Sequence, residues 1–383
     1  MKLIDIITGT RSDFVKAAPV IAQMQQELNG GSVITYRLVH TGQHASPEMS
    51  DRFLDDLGMH QPDVYLQAGY CKSPGDQLMV ILRKYRQVLP EQQPDMVIVF
   101  GDSTSALACA LAAKLVDKQI KVLHVEAGMR CGNKELLEEL NRVVTDSVTD
   151  YFFTTTRRAA EFLVSSGEAP RNNVFFVGNT AIDTLLSQPG PMQAPAVYEE
   201  LQLADNQYFL FTLHKRANIE SPEILDHILA QVSKAARGLP VIFPVHPHTA
   251  QYLPELSTDY PNLHPVPAMA YPAFQYLLQH AKAVMTDSGG VSEEATVLHV
   301  PCFLLNNNTE CPEVIKMGSS ELVGSSGKQL MKAVGRLFDG RWKQSTVPEY
   351  WDGKAAERLV QVLRQLCLPE HSPSKGSALE YPG

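Results

Sequence analysis

The sequence predicts an α/β protein built from two doubly wound parallel sheets joined by a short linker. Three observations lead there. Short apolar runs alternate with stretches of helical periodicity, the series restarts after a Pro- and Gly-rich break near the middle, and chemistry-bearing polar residues fall just after the apolar runs. In the first half, residues 3–7 read as a strand, and residues 16–28 as a helix that Gly30 and Gly31 end. Residues 36–39, 96–100, 122–125 and 151–154 read as further strands, each followed by turn residues and then helical spacing. Such alternation implies a parallel sheet covered by helices on both faces. Pro189, Gly190, Pro191 and Pro195 cannot continue a helix and mark a linker over 188–197, between a unit spanning 1–187 and one spanning 198–353. In the second unit residues 208–213, 241–245, 283–286 and 301–305 are strand-like, and residues 222–236, 272–280 and 290–298 are helical. The last helix, 354–367, carries Leu359, Val360, Val362, Leu363 and Leu366, enough apolar surface to pack back on the first unit. Residues 369–383 are rich in Pro, Ser and Gly and are expected to be a disordered tail.

Composition narrows the function. The chain has 383 residues, with 33 Lys and Arg against 42 Asp and Glu, a formal net charge of −9 that repels nucleic-acid backbones and argues against a nucleic-acid partner. No apolar run approaches the roughly 18 to 20 residues of a membrane helix, and Asp5 interrupts any signal-peptide core, so a cytoplasmic protein is expected. The six cysteines include no CxxC pair, and Cys109, Cys302 and Cys367 lie in apolar stretches, which argues against a disulfide framework or a zinc site.

Open parallel sheets bind ligands beyond the carboxyl ends of their strands, so the residues after each strand carry the functional signal. Gly9, Thr10 and Arg11, with Ser12, Asp13 and Lys16, bring backbone N–H groups, a helix N-terminus and two cations together, which suits an anion or a plain tight turn. The spacing is neither a dinucleotide fingerprint nor a P-loop. Asp102, in Gly101 to Ser105, is either a base or an N-cap. Glu126 ends the next strand; if the two strands are neighbours, both carboxylates face one cleft and their repulsion lifts one pKa. Glu138 and Arg142 stand at i, i+4, as a surface salt bridge or as site residues. His214, Lys215 and Arg216 form a positive cluster suited to phosphate, whereas His246 and His248 around Pro247 lack a third metal ligand. The strongest local signal runs from Thr286 to Ala295: Gly289 and Gly290 after Ser288 admit a phosphate, and Glu294 one turn on suits ribose hydroxyls, as for a uridine diphosphate. Glu310 and Glu313 sit in a polar loop that faces a sugar or holds the loop.

In order along the chain, these motifs resemble the non-hydrolysing UDP-N-acetylglucosamine 2-epimerases. The resemblance rests on Gly9-Thr10-Arg11 with Lys16, Thr41 to His44, Gly101 to Ala108, His124 to Gly128, Glu138 to Arg142, Gly178 to Asp183, Thr212 to Arg216, Pro244 to Pro247 and Thr286 to Ala295. It implies two Rossmann-like units facing across a cleft in the glycosyltransferase-like GT-B arrangement, a homodimer, and no metal or nicotinamide cofactor. It implies carbon 2 epimerisation of a UDP-HexNAc by elimination of UDP and re-addition, serving surface polysaccharide synthesis. Asp102, Glu126 and Glu138 would then be acid/base groups. Arg11, Lys16, Arg142 and His214 would surround the diphosphate, with Arg216 and Glu310 also at the substrate; Ser288, Gly289 and Gly290 would hold phosphate, and Glu294 the ribose. Gln43 and His44 would border a second, allosteric UDP-sugar site.

The chain departs from the family pattern at several points. Ser12 and Asp13 replace Pro-Glu, Cys311 replaces an Arg, Ala217 replaces a Glu, and Ala45, Ser46 and Pro47 lengthen the segment after His44. A hydrolysing 2-epimerase, a glycosyltransferase and a catalytically impaired UDP-sugar-binding protein are the alternative readings.

Overall fold

The computed structural model describes residues 2–29, 34–43, 53–69, 71, 73–187, 193–219, 221–245, 247–250, 253, 260–324 and 327–368, with backbone only at 29, 216, 217, 247 and 248. The tail at 369–383 and most of the break at 188–192 therefore lie outside the described residues.

Two wholly parallel sheets form the molecule. The first has seven strands in the order β3-β2-β1-β4-β5-β6-β7. These are β1 (Lys2–Thr8), β2 (Ile34–His40), β3 (Val64–Tyr65), β4 (Met96–Phe100), β5 (Lys121–Val125), β6 (Tyr151–Thr154) and β7 (Val174–Phe176). The strand period of two explains why these runs are continuously apolar: Ile98 and Phe100 enter the core on one face, while Val97 and Val99 enter the core on the other. The second sheet repeats the plan, β10-β9-β8-β11-β12-β13, from β8 (Phe209–Thr212), β9 (Val241–Val245), β10 (Leu263–Pro267), β11 (Ala283–Thr286), β12 (Cys302–Leu304) and β13 (Ser320–Leu322). Phe209 and Phe211 face one core layer and Leu210 the opposite one.

In both sheets the chain starts in the middle, winds outward, then returns to the other side. The strand order reverses between β1 and β4 and again between β8 and β11, and a crevice opens beyond the strand ends at such a switch point. Four strands the sequence reading did not anticipate, β3, β7, β10 and β13, are the sheet edges. Two to five residues long, with Pro265 and Pro267 in β10, they are too short or too proline-rich for periodicity to reveal, and such strands make poor templates for further pairing.

The C-terminal helix Ala355–Cys367 lies against helices Arg11–Asn29 and Thr180–Leu186 of the first half. Leu359, Val360 and Leu363 join Ile4, Val20 and Ile21 in one buried cluster. Lys354 makes no side-chain cap for this helix; Asp183, from a distant helix, accepts the N–H groups of Ala355 and Ala356 at 3.1 and 2.6 Å. Burial pushes the Asp183 carboxyl up to about 6, against those two N–H donors.

Candidate active site

The crevice begins at the end of β1. Helix Arg11–Asn29 starts five residues earlier than its apolar periodicity suggests, because Thr10 and Asp13 cap it reciprocally. Thr10 Oγ1 accepts the Asp13 N–H at 3.2 Å, and the Asp13 carboxylate accepts the N–H groups of Gly9 and Thr10, each at 3.0 Å. This corrects the expectation that those N–H groups are free for an anion: Asp13 already satisfies them. Arg11 extends toward the crevice over the Phe53 ring, 5.5 Å from its centroid, with burial lowering its pKa.

Lys16, one turn into the helix, reaches Glu126 at 2.5 Å, with both side chains buried. Burial alone would lower the Lys16 pKa, but Glu126, Asp102 and Asp13 raise it. Two backbone features make this meeting possible. Glu126 holds a φ of 67°, a left-handed conformation rare for a side-chain-bearing residue and a form of strain found at active sites. Gly101 has a φ of +60°, and a Cβ there would lie 2.8 Å from Lys16 Nζ and 3.0 Å from Glu126 Oε2.

Strands β4 and β5 are neighbours, with Phe100 opposite Val125, so Asp102 and Glu126 leave adjacent strand ends. Asp102 is not the N-cap of the next helix. Ser103 takes that place by accepting the Ala106 N–H at 3.1 Å, which frees the Asp102 carboxylate to bind Arg142 at 2.9 Å. Arg142, 2% exposed, also donates to the Glu126 carbonyl at 2.7 Å and to Glu310, from the second half, at 2.7 Å. Burial would raise both carboxyls on this shared cation. Arg142 and Lys16 hold Asp102 below the usual carboxylate range, while Glu310 stays above it, with Asp102 and Glu126 adding to its rise. The rise by mutual repulsion expected from the sequence thus does not fall on Asp102, which the two cations hold ionised, as a base requires. The Gly101 turn is fixed from behind by His124, whose ring bridges Asp146 Oδ1 at 2.6 Å and the Gly101 carbonyl at 2.7 Å.

Glu138 does not join this cluster. It is exposed on the first turn of helix Leu137–Ser147, and the acidic partners of Arg142 are Asp102, Glu126 and Glu310, so the i, i+4 pairing with Glu138 is replaced. The neighbouring Glu139 is buried and accepts the N–H groups of Cys131 and Gly132 at 2.9 and 3.0 Å.

The second switch point forms the facing wall. Buried Asp287, after β11, accepts the N–H groups of His214 and Lys215, each at 2.9 Å, and ties the loop after β8 to the loop after β11. Side-chain desolvation in the crevice lowers the His214 pKa, with Asp287 opposing and Arg11 adding. Ser288 caps helix Gly289–Val297, and among the described residues no atom outside their chain neighbours and their own helix backbone lies within 4 Å of where a Cβ would stand on Gly289 or Gly290. That helix N-terminus is open to an anion. Buried Glu294 accepts the Tyr271 hydroxyl at 2.8 Å, and burial pushes its carboxyl up to about 7. Of the remaining expected residues, Gln43 turns its side-chain oxygen to the Ser105 N–H and hydroxyl at 3.0 and 2.6 Å, while His44, His246 and the Arg216 side chain lie outside the described residues.

This pair of crevice walls has counterparts in known proteins. The family model for UDP-N-acetylglucosamine 2-epimerase matches residues 26–364. The chain belongs to the UDP-N-acetylglucosamine 2-epimerase family. It is 33% identical to the UDP-N-acetylglucosamine 2-epimerase of Methanocaldococcus jannaschii over 95% of this chain and 99% of that one. It is 31% identical to the UDP-2,3-diacetamido-2,3-dideoxy-D-glucuronate 2-epimerase of Pseudomonas aeruginosa, over 96% of this chain and 100% of that one. The crystal structure of the Methanocaldococcus jannaschii enzyme with UDP-GlcNAc and UDP superposes with a TM-score of 0.84, covering 95% of this chain and 100% of that one at 33% identity. The GT-B-like arrangement of two parallel α/β units is thus common to this UDP-N-acetylglucosamine 2-epimerase family member and its relatives.

Sequence reasoning missed several residues that shape this epimerase-family site. Asp146, Asn179, Asp287 and Glu293 act through buried hydrogen bonds between elements far apart in the chain, and only the structure brings them together. Asp287 and Glu293 lie within the segment the sequence singled out, so their polarity in an apolar setting was the available signal.

Proposed function

We propose that the protein interconverts UDP-N-acetylglucosamine and UDP-N-acetylmannosamine, or a closely related UDP-HexNAc pair, without releasing the sugar. The observation that carries this reading is the Lys16–Glu126 and Asp102–Arg142–Glu310 cluster at one switch point, facing the helix N-terminus at Ser288 to Gly290 at the other.

In this reading the diphosphate lies on that helix N-terminus, with Arg11, His214 and Arg216 around it and Glu294 at the ribose hydroxyls. Asp102 and Glu126 are the acid/base pair. One carboxylate takes the proton from carbon 2, the bond from carbon 1 to the UDP oxygen breaks with its electron pair leaving on UDP, and a carbon 1–carbon 2 double bond forms. UDP then re-adds to carbon 1 as a proton reaches carbon 2 from the opposite face. Nothing is consumed, and the cations Lys16 and Arg142 offset the charge that gathers on the departing diphosphate. Arg142 keeps Asp102 ionised, as a base requires. Glu138, exposed outside the Arg142 cluster, is given no step in this reading. A regulatory UDP-sugar beside Gln43 is left out as well, since that amide is engaged with Ser105.

A second sugar is supported by a specific observation. Cys311 is buried between Glu293 and Glu313, where the family pattern carries a cation, and the diacetamido-glucuronate epimerase of Pseudomonas aeruginosa is a close enough relative to make an altered carbon 3 or carbon 6 substituent a real option. We also propose a homodimer, through a helix face on which Leu137, Leu140 and Val143 stand 38%, 52% and 39% exposed, and unit boundaries at 1–187 and 198–353.

Chromatography of nucleotides after incubation with UDP-N-acetylglucosamine tests the reading. A UDP-N-acetylmannosamine peak at constant total UDP-sugar supports it, and stoichiometric free UDP would assign the chain to the hydrolysing type instead. Conversion only of UDP-2,3-diacetamido-2,3-dideoxy-D-glucuronate would move the substrate to the second sugar.

A further inference from the structure

Among the described residues, the two cations at the acidic cluster of this crevice are already engaged. Lys16 is committed to Glu126 at 2.5 Å, and Arg142 to Asp102 and Glu310 at 2.9 and 2.7 Å. Glu293, 6% exposed on helix Gly289–Val297, is paired with neither. Its hydrogen bond comes from a neutral amide: Asn179 Nδ2 donates to Glu293 Oε2 at 2.8 Å. Asn179 belongs to the first half, where its Oδ1 accepts the Ala181 N–H at 2.9 Å and caps helix Thr180–Leu186. That cap fixes the amide orientation, so the NH2 group, and not the oxygen, faces Glu293. Because the two residues come from opposite halves, their bond ties the two walls of the crevice together.

The surroundings of Glu293 disfavour a charge there. Glu126 approaches from the end of β5 and Glu310 from the loop after β12, both acidic, and the Cys311 thiol lies beside it. Lys16, from helix Arg11–Asn29, is the opposing cation, already held by Glu126. On its own helix the neighbouring Glu294 faces Tyr271.

We propose that Glu293 is a positioning residue held as a neutral carboxylic acid, which clasps the two halves through Asn179 and leaves Lys16 to Glu126 undivided. Loss of its proton places a third carboxylate beside Glu126 and Glu310 and draws Lys16 from Glu126; the Asn179 N–H favours that carboxylate, but the repulsion from Glu126, across the crevice, outweighs it and opposes closure. Burial first, and Glu126 second, push this carboxyl up to about 8, so the change falls just above neutral pH. The folded, closed form holds this proton and the open form gives it up, so closure weakens as pH rises through that value. The kinetic consequence rests on the epimerase reading; the protonation itself does not.

The test is infrared titration of the ligand-free protein and of Glu293→Gln, which is neutral at every pH. The wild type is expected to lose a protonated-carboxyl absorption as pH rises through about 8, a component that E293Q lacks. An E293Q titration that superimposes on the wild type in this range overturns the proposal. Asn179→Ala supplies a second variant: an N–H donor favours the carboxylate form, so its removal moves the same titration to higher pH, and an unmoved titration tells against the clasp. In turnover, E293Q is expected to stay within about threefold of wild type near neutrality, since it supplies no acid/base group, and to lose the alkaline decline. An alkaline limb unchanged in E293Q contradicts the positioning role. If neither protein turns over a UDP-HexNAc, the infrared result still decides the state of Glu293, and the functional reading fails on its own.

Discussion

At the scale of single residues, the site depends on a few contacts that tolerate little change. Asp102→Asn and Glu126→Gln keep shape and remove proton transfer, and each is expected to lower turnover by about 10² to 10⁴, read by steady-state kinetics, with UDP affinity largely kept. Turnover within about threefold of wild type in either variant would remove that residue from the acid/base pair. Gly101→Ala adds a methyl where Lys16 Nζ and Glu126 Oε2 already stand 2.8 and 3.0 Å away, at a φ of +60°. It is expected to cost about 1 to 3 kcal/mol of stability in urea titration and to depress kcat more than KM. Asp102, Glu126 and Glu310 were legible from their places after strands, and Arg142 from its helical spacing, though with the wrong partner. The roles of Ser103 and Glu139 were not, because which of two adjacent polar residues caps a helix is settled by backbone geometry at the helix start.

Among the elements, the central strands were readable because a strand buried on both faces must be apolar throughout, as in Met96–Phe100. Edge strands of two or three residues carry no such pattern, and a helix start set by the Thr10–Asp13 reciprocal cap lies upstream of the apolar spacing. The C-terminal helix shows how a remote residue completes an element. Asp183→Ala leaves the N–H groups of Ala355 and Ala356 without their acceptor and is expected to cost about 1 to 3 kcal/mol, seen as a lower urea midpoint at unchanged UDP affinity. Leu140→Glu, on the exposed apolar face of helix Leu137–Ser147, is expected to convert a dimer to a monomer in sedimentation, and a wild-type monomer would refute the homodimer directly.

For the whole molecule, burial has lifted several carboxyls at once: Asp13 and Asp183 to about 6, Glu294 to about 7 and Glu293 to about 8. Each keeps its proton in the folded state at pH values where the unfolded chain has lost it. The folded state therefore binds more protons across this window, and these groups withdraw stability as pH rises through their folded values. Asp102 and Asp146, held low by Arg142, Lys16, His124 and Arg130 against the effect of burial, contribute stability that is lost only in acid. Thermal unfolding is expected to show a maximum on the acidic side of neutrality and a decline that levels off above about pH 8, partly flattened in E293Q. A midpoint constant from pH 6 to 8 would mean that Glu293 and Glu294 are ionised when folded. The most direct measurement is proton NMR of the protein incubated with UDP-N-acetylglucosamine in heavy water. Elimination and re-addition predict a manno epimer carrying deuterium at carbon 2, with little free UDP. Tight UDP binding with the carbon 2 proton fully retained and no epimer would contradict carbon 2 chemistry on this sugar.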